Sequence, residues 1–504
     1  VNLKRLSLVI LMAGSLVLLQ GQTKRDPRAV SLAGAYTTIA DGIFAVGYNP
    51  ALLAFQQDKP FMMQLVGFDF GFVGNYLSMA NLNAISGDTL WANDVRLLLQ
   101  KFENSGGLTF FQDFHLPLPV INYASGNMAF TSNLVYLSNY RFPLGILQFL
   151  LEGNAKHPEL DMTLGYEVLG VTEYGFSFAV PYDQFAWGLT IKYLQGLFYL
   201  GIDPDSSRAT LYSGDEVVYG DGVYFLRQGI GGSGLGLDVG FTTRRIKGWR
   251  VGFSIINALG SITWNKPSLM KDILDGSDNI YGTDDDLFHF TWGGKVLNDS
   301  MAIRYIYRID SLNAQNLSGD IFYRNSTEEQ VVYDTTKNGK PRIFKLNYPA
   351  IFRVGISKKT NDILISSDLW TGFEDRLFAH SGWRWAIGLE YQKFPSIPLR
   401  VGFAWGGANF KELSMGLGVH KGPLIFDFGF AFRNGIWIHT MQGLNLSAQL
   451  TITSFKSRKA TEKEEPIEAT PAPLPEETQP QTPEEVQPTT PPPEESSSLP
   501  GEEQ

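Results

Sequence analysis

"WRWAIGLEY" (Trp383–Tyr391) alternates without a break. Trp383, Trp385, Ile387, Leu389 and Tyr391 fall on one side of an extended chain, and Arg384, Ala386, Gly388 and Glu390 on the other. Successive side chains of a strand point to opposite faces, so a period of two marks a β-strand and not a helix. A face of large apolar residues is ordinary for a strand. The opposite face is less so: it holds small residues and single charges in place of the dense charge of a water-washed surface.

The same pattern recurs along the chain, in segments of about ten residues parted by turn signals. "LRVGFAW" sets Leu399, Val401, Phe403 and Trp405 against Arg400, Gly402 and Ala404. "LSMGLGVH" sets Leu413, Met415, Leu417 and Val419 against Ser414, Gly416, Gly418 and His420. "LIFDFGF" opposes Leu424, Phe426, Phe428 and Phe430 to Asp427 and Gly429. "LNLSAQLTI" opposes Leu444, Leu446, Leu450 and Ile452 to Asn445, Ser447, Gln449 and Thr451. Earlier segments are Met162/Leu164/Tyr166, Phe185/Trp187/Leu189/Ile191/Tyr193, Leu235/Leu237/Val239/Phe241, Trp249/Val251/Phe253/Ile255 and Met301/Ile303/Tyr305/Tyr307. Their second face carries Lys192, Asp238, Arg250, Arg304, Arg353 and Asp368.

Soluble β-sandwiches and transmembrane barrels both alternate in this way. A sandwich points its apolar face at a core and its charged face at water. A barrel points the apolar face at lipid and keeps glycine, small polar residues and paired charges for the lumen. Aromatics on nearly every apolar face and a thinly charged second face select the barrel. The fold class is therefore all-β: a transmembrane antiparallel β-barrel of about 14 strands, with 12 to 16 allowed by the spacing. No stretch beyond the first residues is apolar for the roughly 18 residues that a membrane helix needs.

The ends of the chain have other compositions. Lys4 and Arg5 precede the apolar run "LSLVILMAGSLVLL" (Leu6–Leu19), which predicts a signal peptide over residues 1–21 and export. Residues 456–504 hold 12 Glu, four Lys or Arg and 11 of the 26 Pro, so most of the formal charge of −10 lies in this tail. A tail of that composition has too little apolar area to offset its ordering entropy, and it is expected to be disordered. The chain has no Cys, which excludes disulfides, thiolate metal sites and thiol nucleophiles. No basic cluster points to nucleic acid.

Two helices are expected between strands. "DTLWANDVRLLLQKFENSGG" puts Trp91, Val95, Leu98, Leu99 and Phe102 on one stripe, with Asp88 as cap and Gly106 as stop. "PLGILQFLLEGN" opens on Pro143, ends near Gly153 and is apolar nearly all round, with Ile146, Phe149 and Leu150 among its residues. Either both helices pack against the barrel or each other, or they form an apolar lid over its mouth. On the second reading Val95, Leu98, Leu99, Phe102, Ile146, Phe149 and Leu150 mark a path for a hydrophobic ligand.

Enzymatic signatures are missing. There is no Gly-x-Ser-x-Gly elbow, phosphate loop, dinucleotide fingerprint or His-Glu-x-x-His pair, so no catalysis, cofactor or metal is expected. The six His are scattered, with His289 and His420 on inward faces. The acidic run Asp272–Asp286 does not fit the spacing of a calcium loop. Glu390 with Arg384 and Arg400, and Asp238 with Arg250, are expected to pair inside the lumen, since buried charge is tolerated only when paired.

"SLAGAYTTIADGIFAVGYNPALLA" (Ser31–Ala54) is too broken for a helix and alternates too poorly for a strand. With its Gly-Ala pair, aromatic residue, Ala-Asp step and Asn-Pro-Ala, it resembles the N-terminal signature of the long-chain fatty-acid transporter (FadL-type) outer-membrane superfamily. "YPAIFRVGISKKTNDILISSDLW", "GLEYQKFPSIPLRVGFAWGG" and "LSMGLGVHKGPLIFDFGFAF" are similar to PorV-like members of it, and "GSGLGLDVGFTTRRIKGWRVGFSIINALGSITW" resembles a branch of unknown function. The resemblance spans residues 28 to 455. It implies a hatch inside the lumen over residues 22–56, a barrel over 57–455, and hatch positions Gly34, Ala35, Asp41, Asn49, Pro50 and Ala51. Asp41 and Asn49 are expected to bond lumen side chains or the hatch's own backbone. The family usually ends on a terminal aromatic, and Phe455 is out of phase with Leu450 and Ile452.

The expected location is the outer membrane of a diderm bacterium, in contact with lipid. The expected function is passive transport of hydrophobic, fatty-acid-like small molecules. The alternative is a PorV-like secretion-associated or envelope-scaffold barrel, whose tail contacts periplasmic or secretion proteins.

Overall fold

A computed structural model describes residues 26–454, except 57–60, 77, 79, 82, 84–90, 154, 203–205, 214–217, 267–289, 293–294, 298–300, 313–325, 333–344, 375–376, 378, 380–381 and 408–410. Between 290 and 332 only backbone is described. The signal peptide, the tail, Phe455, Asp88, His289, the run 272–286 and the side chain of Arg304 therefore lie outside the described residues.

Fourteen strands form the wall: β1 (Met62–Gly74), β2 (Leu108–Pro117), β3 (Met128–Phe142), β4 (Gly165–Pro181), β5 (Phe185–Ile202), β6 (Val218–Thr243), β7 (Trp249–Thr263), β8 (Ile351–Thr360), β9 (Ile363–Gly372), β10 (Arg384–Tyr391), β11 (Leu399–Gly406), β12 (Lys411–Lys421), β13 (Leu424–Arg433) and β14 (Gly443–Thr453). Each pairs antiparallel with the next. β14 returns to β1, from Met62 opposite Thr453 to Val73 opposite Gly443, and closes the ring. Closure leaves the wall no unpaired edge, which is the condition for strands to cross a bilayer. No helix of the described residues is long and apolar enough to do so.

The alternation reads out directly as sidedness. On β10, Trp385, Ile387 and Leu389 are exposed on the outer surface, while Arg384, Ala386, Gly388 and Glu390 are buried within. β7, β11, β12, β13 and β14 follow the expected phase. Two segments do not. Met162 and Leu164 precede β4, in the connection that leads into it. Met301–Leu312 is not a wall strand: it pairs with the overhanging first half of β6, at Val218–Gln228.

Three bulges interrupt the wall, the first at Leu65 of β1 opposite β14. Leu197 of β5 is an extra residue between the pairs Gly170–Phe198 and Val171–Gly196, so the inward parity flips above it and Tyr199 turns inside. On β7, three residues (Ile256, Asn257, Ala258) oppose the single Asp238 of β6. Asn257 there takes a positive φ of 53°, and its backbone N–H donates to Asp238 Oδ1 at 2.7 Å.

Tight turns join the strands at the end where β1 starts, as at 361–362 and 422–423, where Asn361 and Gly422 have positive φ. Most connections at the other end are longer, and two of them carry helices, α2 (Ala92–Asn104) and α3 (Leu144–Glu152). α2 closes on Gly106 and Gly107, both at positive φ, and the Gly107 N–H donates to Phe102 O at 2.8 Å. α3 closes on Gly153 at φ 77°. Trp91 is the cap of α2 and 72% exposed, so it does not share the stripe of Val95, Leu98, Leu99 and Phe102.

Candidate functional site: a plugged lumen with an apolar upper half

Residues 26–56 lie inside the barrel. Asp26 accepts from the N–H groups of Arg28 and Ala29, both at 3.0 Å, and with Pro27 in the first turn it starts α1 (Pro27–Ser31). Ala33 and Gly34, at φ 52° and 84°, end it. Two short 3₁₀ turns follow, Gly42–Ala45 and Pro50–Phe55. Tyr36, Ile43, Tyr48, Leu52 and Leu53 form one apolar cluster with Met62, Ala129, Ala179 and Leu364 of the wall.

The wall receives this segment on glycines. Gly388 and Gly402 face Leu32, Gly416 and Gly429 face Ser31 and Pro27, Gly188 faces Pro50 and Ala51, and Gly240 and Gly252 face Asn49. A Cβ at Gly402 would overlap the backbone of Leu32 and Ala33, and one at Gly188 the backbone of Pro50 and Ala51. Backbone thus approaches backbone, which only glycine permits. The sequence shows a glycine-rich second face; that these glycines are seats for the segment is visible only in three dimensions.

Each candidate hatch residue has a defined place. Asn49 is fully buried: Nδ2 donates to Thr37 O and to Phe241 O of β6, both at 3.0 Å, and Oδ1 accepts from Ala51 N–H at 3.1 Å. Gly34 O accepts from Arg353 Nη2, and Ala35 O from Ser366 Oγ at 2.8 Å. Pro50 and Ala51 lie on Gly188. Asp41 contacts the Arg28 guanidinium of the same segment, at 3.4 Å.

Ion pairs clamp the first half of the segment. Arg28 Nε and Nη2 donate to Glu390 at 2.6 and 3.1 Å. Arg400 donates to Glu390 at 2.7 Å and to Asp427 at 2.6 Å, and His420 Nε2 lies 3.2 Å from Asp427. Asp368 Oδ2 accepts from the N–H groups of Tyr36 and Thr37, both at 2.8 Å, and from Arg353 Nη2 at 3.1 Å.

The lumen pairs differ from expectation in two respects. Glu390 does pair with Arg400, its direct neighbour in register on β11. Arg384 pairs instead with Glu412, at 2.9 Å, because it stands six residues from Glu390 on the same strand and too far along the barrel to reach it. Asp238 pairs not with Arg250 but with Lys192, at 2.9 Å, across β5 and β6.

Above the plug the inner face changes character. Leu137, Leu169, Leu194, Ile262 and Trp264, all 0% exposed, pack with Val135, Val171, Tyr199 and Ile351 in one apolar cluster inside the upper barrel. Trp264 lies against Gly196, Gly229 and Gly232, where side chains would collide with its indole. Barrel lumens are usually polar, and the expectation of a glycine-and-charge lumen holds only for the lower half. Between the two halves runs a polar layer of Asn133, Glu173, Lys192, Asp238 and Asn257.

At the mouth, Val95, Leu98, Leu99 and Phe102 of α2 pack with Leu151 of α3 and with Tyr76, so they form the interior of a helix pair. Burial pushes the Tyr76 phenol up to about 12. Ile146 and Phe149 are half-buried and Leu150 is exposed. Lys156 and His157 hydrogen-bond Glu152 at 2.9 and 2.7 Å and hold its carboxyl below the ordinary value. No group of three or more metal-ligating side chains gathers among the described residues.

No family model matches the chain, and no curated protein does. Among solved structures it is similar to the toluene transporter TbuX of Ralstonia pickettii (13% identity, TM-score 0.43, 86% of this chain and 98% of that one). It is similar to the toluene transporter TodX of P. putida (10%, 0.42, 86% and 98%) and to a Pseudomonas aeruginosa FadL homologue (12%, 0.43, 87% and 100%). Likenesses at this level say nothing of what this chain carries, and none of the three bears on the PorV-like branch.

Proposed function

We propose that this chain is an outer-membrane barrel through which hydrophobic small molecules pass by diffusion, with residues 26–56 as its plug. The apolar cluster in the upper lumen carries the reading. Water gains nothing from such a lining, whereas an apolar solute leaving water is favoured by about 25 cal/mol for each Å² it buries. A concave apolar interior with a few convergent polar groups is the usual form of a small-molecule site. Its polar layer and plug then stand below it, at the end with the tight turns, which in such barrels faces the periplasm.

The test is uptake by intact cells of a diderm host with and without the full chain, using labelled hydrophobic probes of fatty-acid-like chain length. Faster uptake that depends on the barrel supports the reading. Equal uptake in both strains, together with an empty lumen in the purified protein, refutes it.

A further inference from the structure

The polar layer below the apolar cluster has a chemistry of its own. A small cavity opens there between Val46 and Gly47 of the plug and Asn133, Glu173 and Lys192 of the wall. It adjoins the apolar cluster directly: Leu194 follows Lys192 two residues up β5, and Val171 stands two residues above Glu173 on β4.

Among the described residues Lys192 is the only cation lining this cavity, and its charge is already met. Its ammonium lies 2.9 Å from Asp238 Oδ1 and donates to Asn257 Oδ1 at 2.9 Å, with 2% of the lysine and none of the aspartate side chain exposed. The bulge on β7 fixes this arrangement, since the Asn257 N–H holds Asp238 and its side-chain amide donates to Pro349 O at 3.1 Å. Glu173 is a second carboxylate in the same layer, and it accepts from the Tyr348 hydroxyl. Two carboxylates thus face one ammonium. A third carboxylate, brought in by a ligand, would meet repulsion from both, and like-charge juxtaposition in a desolvated site is strongly disfavoured. A hydroxyl group meets the opposite situation. It donates to a lone pair of Glu173 and accepts from the third N–H of Lys192, which neither Asp238 nor Asn257 occupies.

We infer that this cavity binds the hydroxyl end of an uncharged hydrophobic alcohol, whose apolar part lies in the cluster above, and that it discriminates against the carboxylate of the same chain length. The inference rests on the hydrophobic-passage reading and refines its substrate class. Its residues are Glu173 and Lys192 as ligand contacts, with Asp238 and Asn257 as positioning residues that neutralise and orient the lysine.

The experiment compares uptake of labelled 1-dodecanol and dodecanoate by intact cells bearing the full chain, each corrected for cells without it. The barrel-dependent rate should favour the alcohol by about tenfold or more. Asp238→Asn leaves the lysine charge uncovered and should shift the alcohol-to-carboxylate ratio toward dodecanoate by about tenfold. Should that variant fail to assemble, Glu173→Gln removes the other negative charge and should move the ratio in the same direction. Equal barrel-dependent rates for the two compounds, or a ratio that neither variant moves, overturns the inference and leaves the passage reading intact. Absence of barrel-dependent uptake for both overturns the passage reading and the inference with it.

Discussion

Asn49 is the residue whose loss should loosen the plug most cleanly. Its amide links three separate pieces of chain: Thr37 and Ala51 of the plug and Phe241 of the wall. Asn49→Ala removes three hydrogen bonds in a fully buried position, each with a net worth of about 1 kcal/mol. The groups left behind are two backbone carbonyls and one N–H, and they hydrate only when the plug leaves its seat. The combined cost to the seated state is about 3–5 kcal/mol, or between about a hundredfold and a few thousandfold in the unseated population. The chain has no Cys, so one introduced thiol is a clean reporter. Ala45 is fully buried in the first 3₁₀ turn, and Ala45→Cys should react slowly with a membrane-impermeant thiol reagent. Adding Asn49→Ala should raise that rate by about a hundredfold or more. Asn49→Asp is nearly isosteric and keeps the acceptor for Ala51, yet it turns oxygen toward two carbonyls, so it should loosen the plug at least as much. The barrel itself should stay folded by heat-modifiable electrophoretic mobility in both cases. Labelling within about threefold of the reporter alone in both variants would refute the reasoning, and would place the hold on the plug in its ion pairs.

Three further outcomes are expected. Asp368→Asn strands the buried Arg353 guanidinium and weakens two bonds to the Tyr36 and Thr37 backbone; the cost should be about 3–5 kcal/mol in barrel stability, read from the urea midpoint in detergent. Gly402→Ala forces a methyl into the Leu32–Ala33 backbone and should cost about 1–3 kcal/mol, while Gly236→Ala, which meets side chains alone, Lys192 at 3.3 Å and Leu194 at 3.7 Å, should cost clearly less in the same assay. The Glu152 carboxyl is held below its ordinary value of 4.5 by hydrogen bonds from Lys156 and His157. Its support for α3 is therefore complete above that value and lost as pH falls through the lowered one; hydrogen exchange of the α3 amides should accelerate there, and Glu152→Gln should abolish that pH dependence.

The wall was legible in the sequence because lipid imposes one rule on every strand. Trp385, Ile387 and Leu389, or Phe426 and Phe428, had to share a face, and the residues between them had to point inward. Spacing alone predicts about fourteen strands, with 12 to 16 allowed. Partnerships inside were less legible. Alternation places Arg384, Glu390 and Asp238 in the lumen but carries no register, and it is register that brings Arg400, and not Arg384, beside Glu390. The helix stripe was also legible for Val95, Leu98, Leu99 and Phe102, whereas Trp91 fell outside because the helix begins after it.

The apolar upper lumen was hidden for a different physical reason. A strand that passes from a polar to an apolar inner face looks, in one dimension, like a strand that has become apolar on both faces. "KYLQGLFYL" (Lys192–Leu200) is such a case: below Leu197 the inward residues are Lys192, Leu194 and Gly196, and the bulge then turns Tyr199 inside. The bulges on β5 and β7 lie where the polar layer meets the apolar cluster, and each supplies it with a residue that simple alternation would place elsewhere. Leu197 shifts Tyr199 into contact with Trp264, at 5.9 Å between ring centroids. The β7 bulge turns Asn257 onto Asp238 and Lys192. A bulge costs ladder hydrogen bonds and persists where re-aiming a side chain offsets that loss. The wall is therefore irregular at the level where the lumen changes from plug seat to apolar cluster, and on the proposed function that level, more than the plug's own signature, is where selection among hydrophobic molecules would be built.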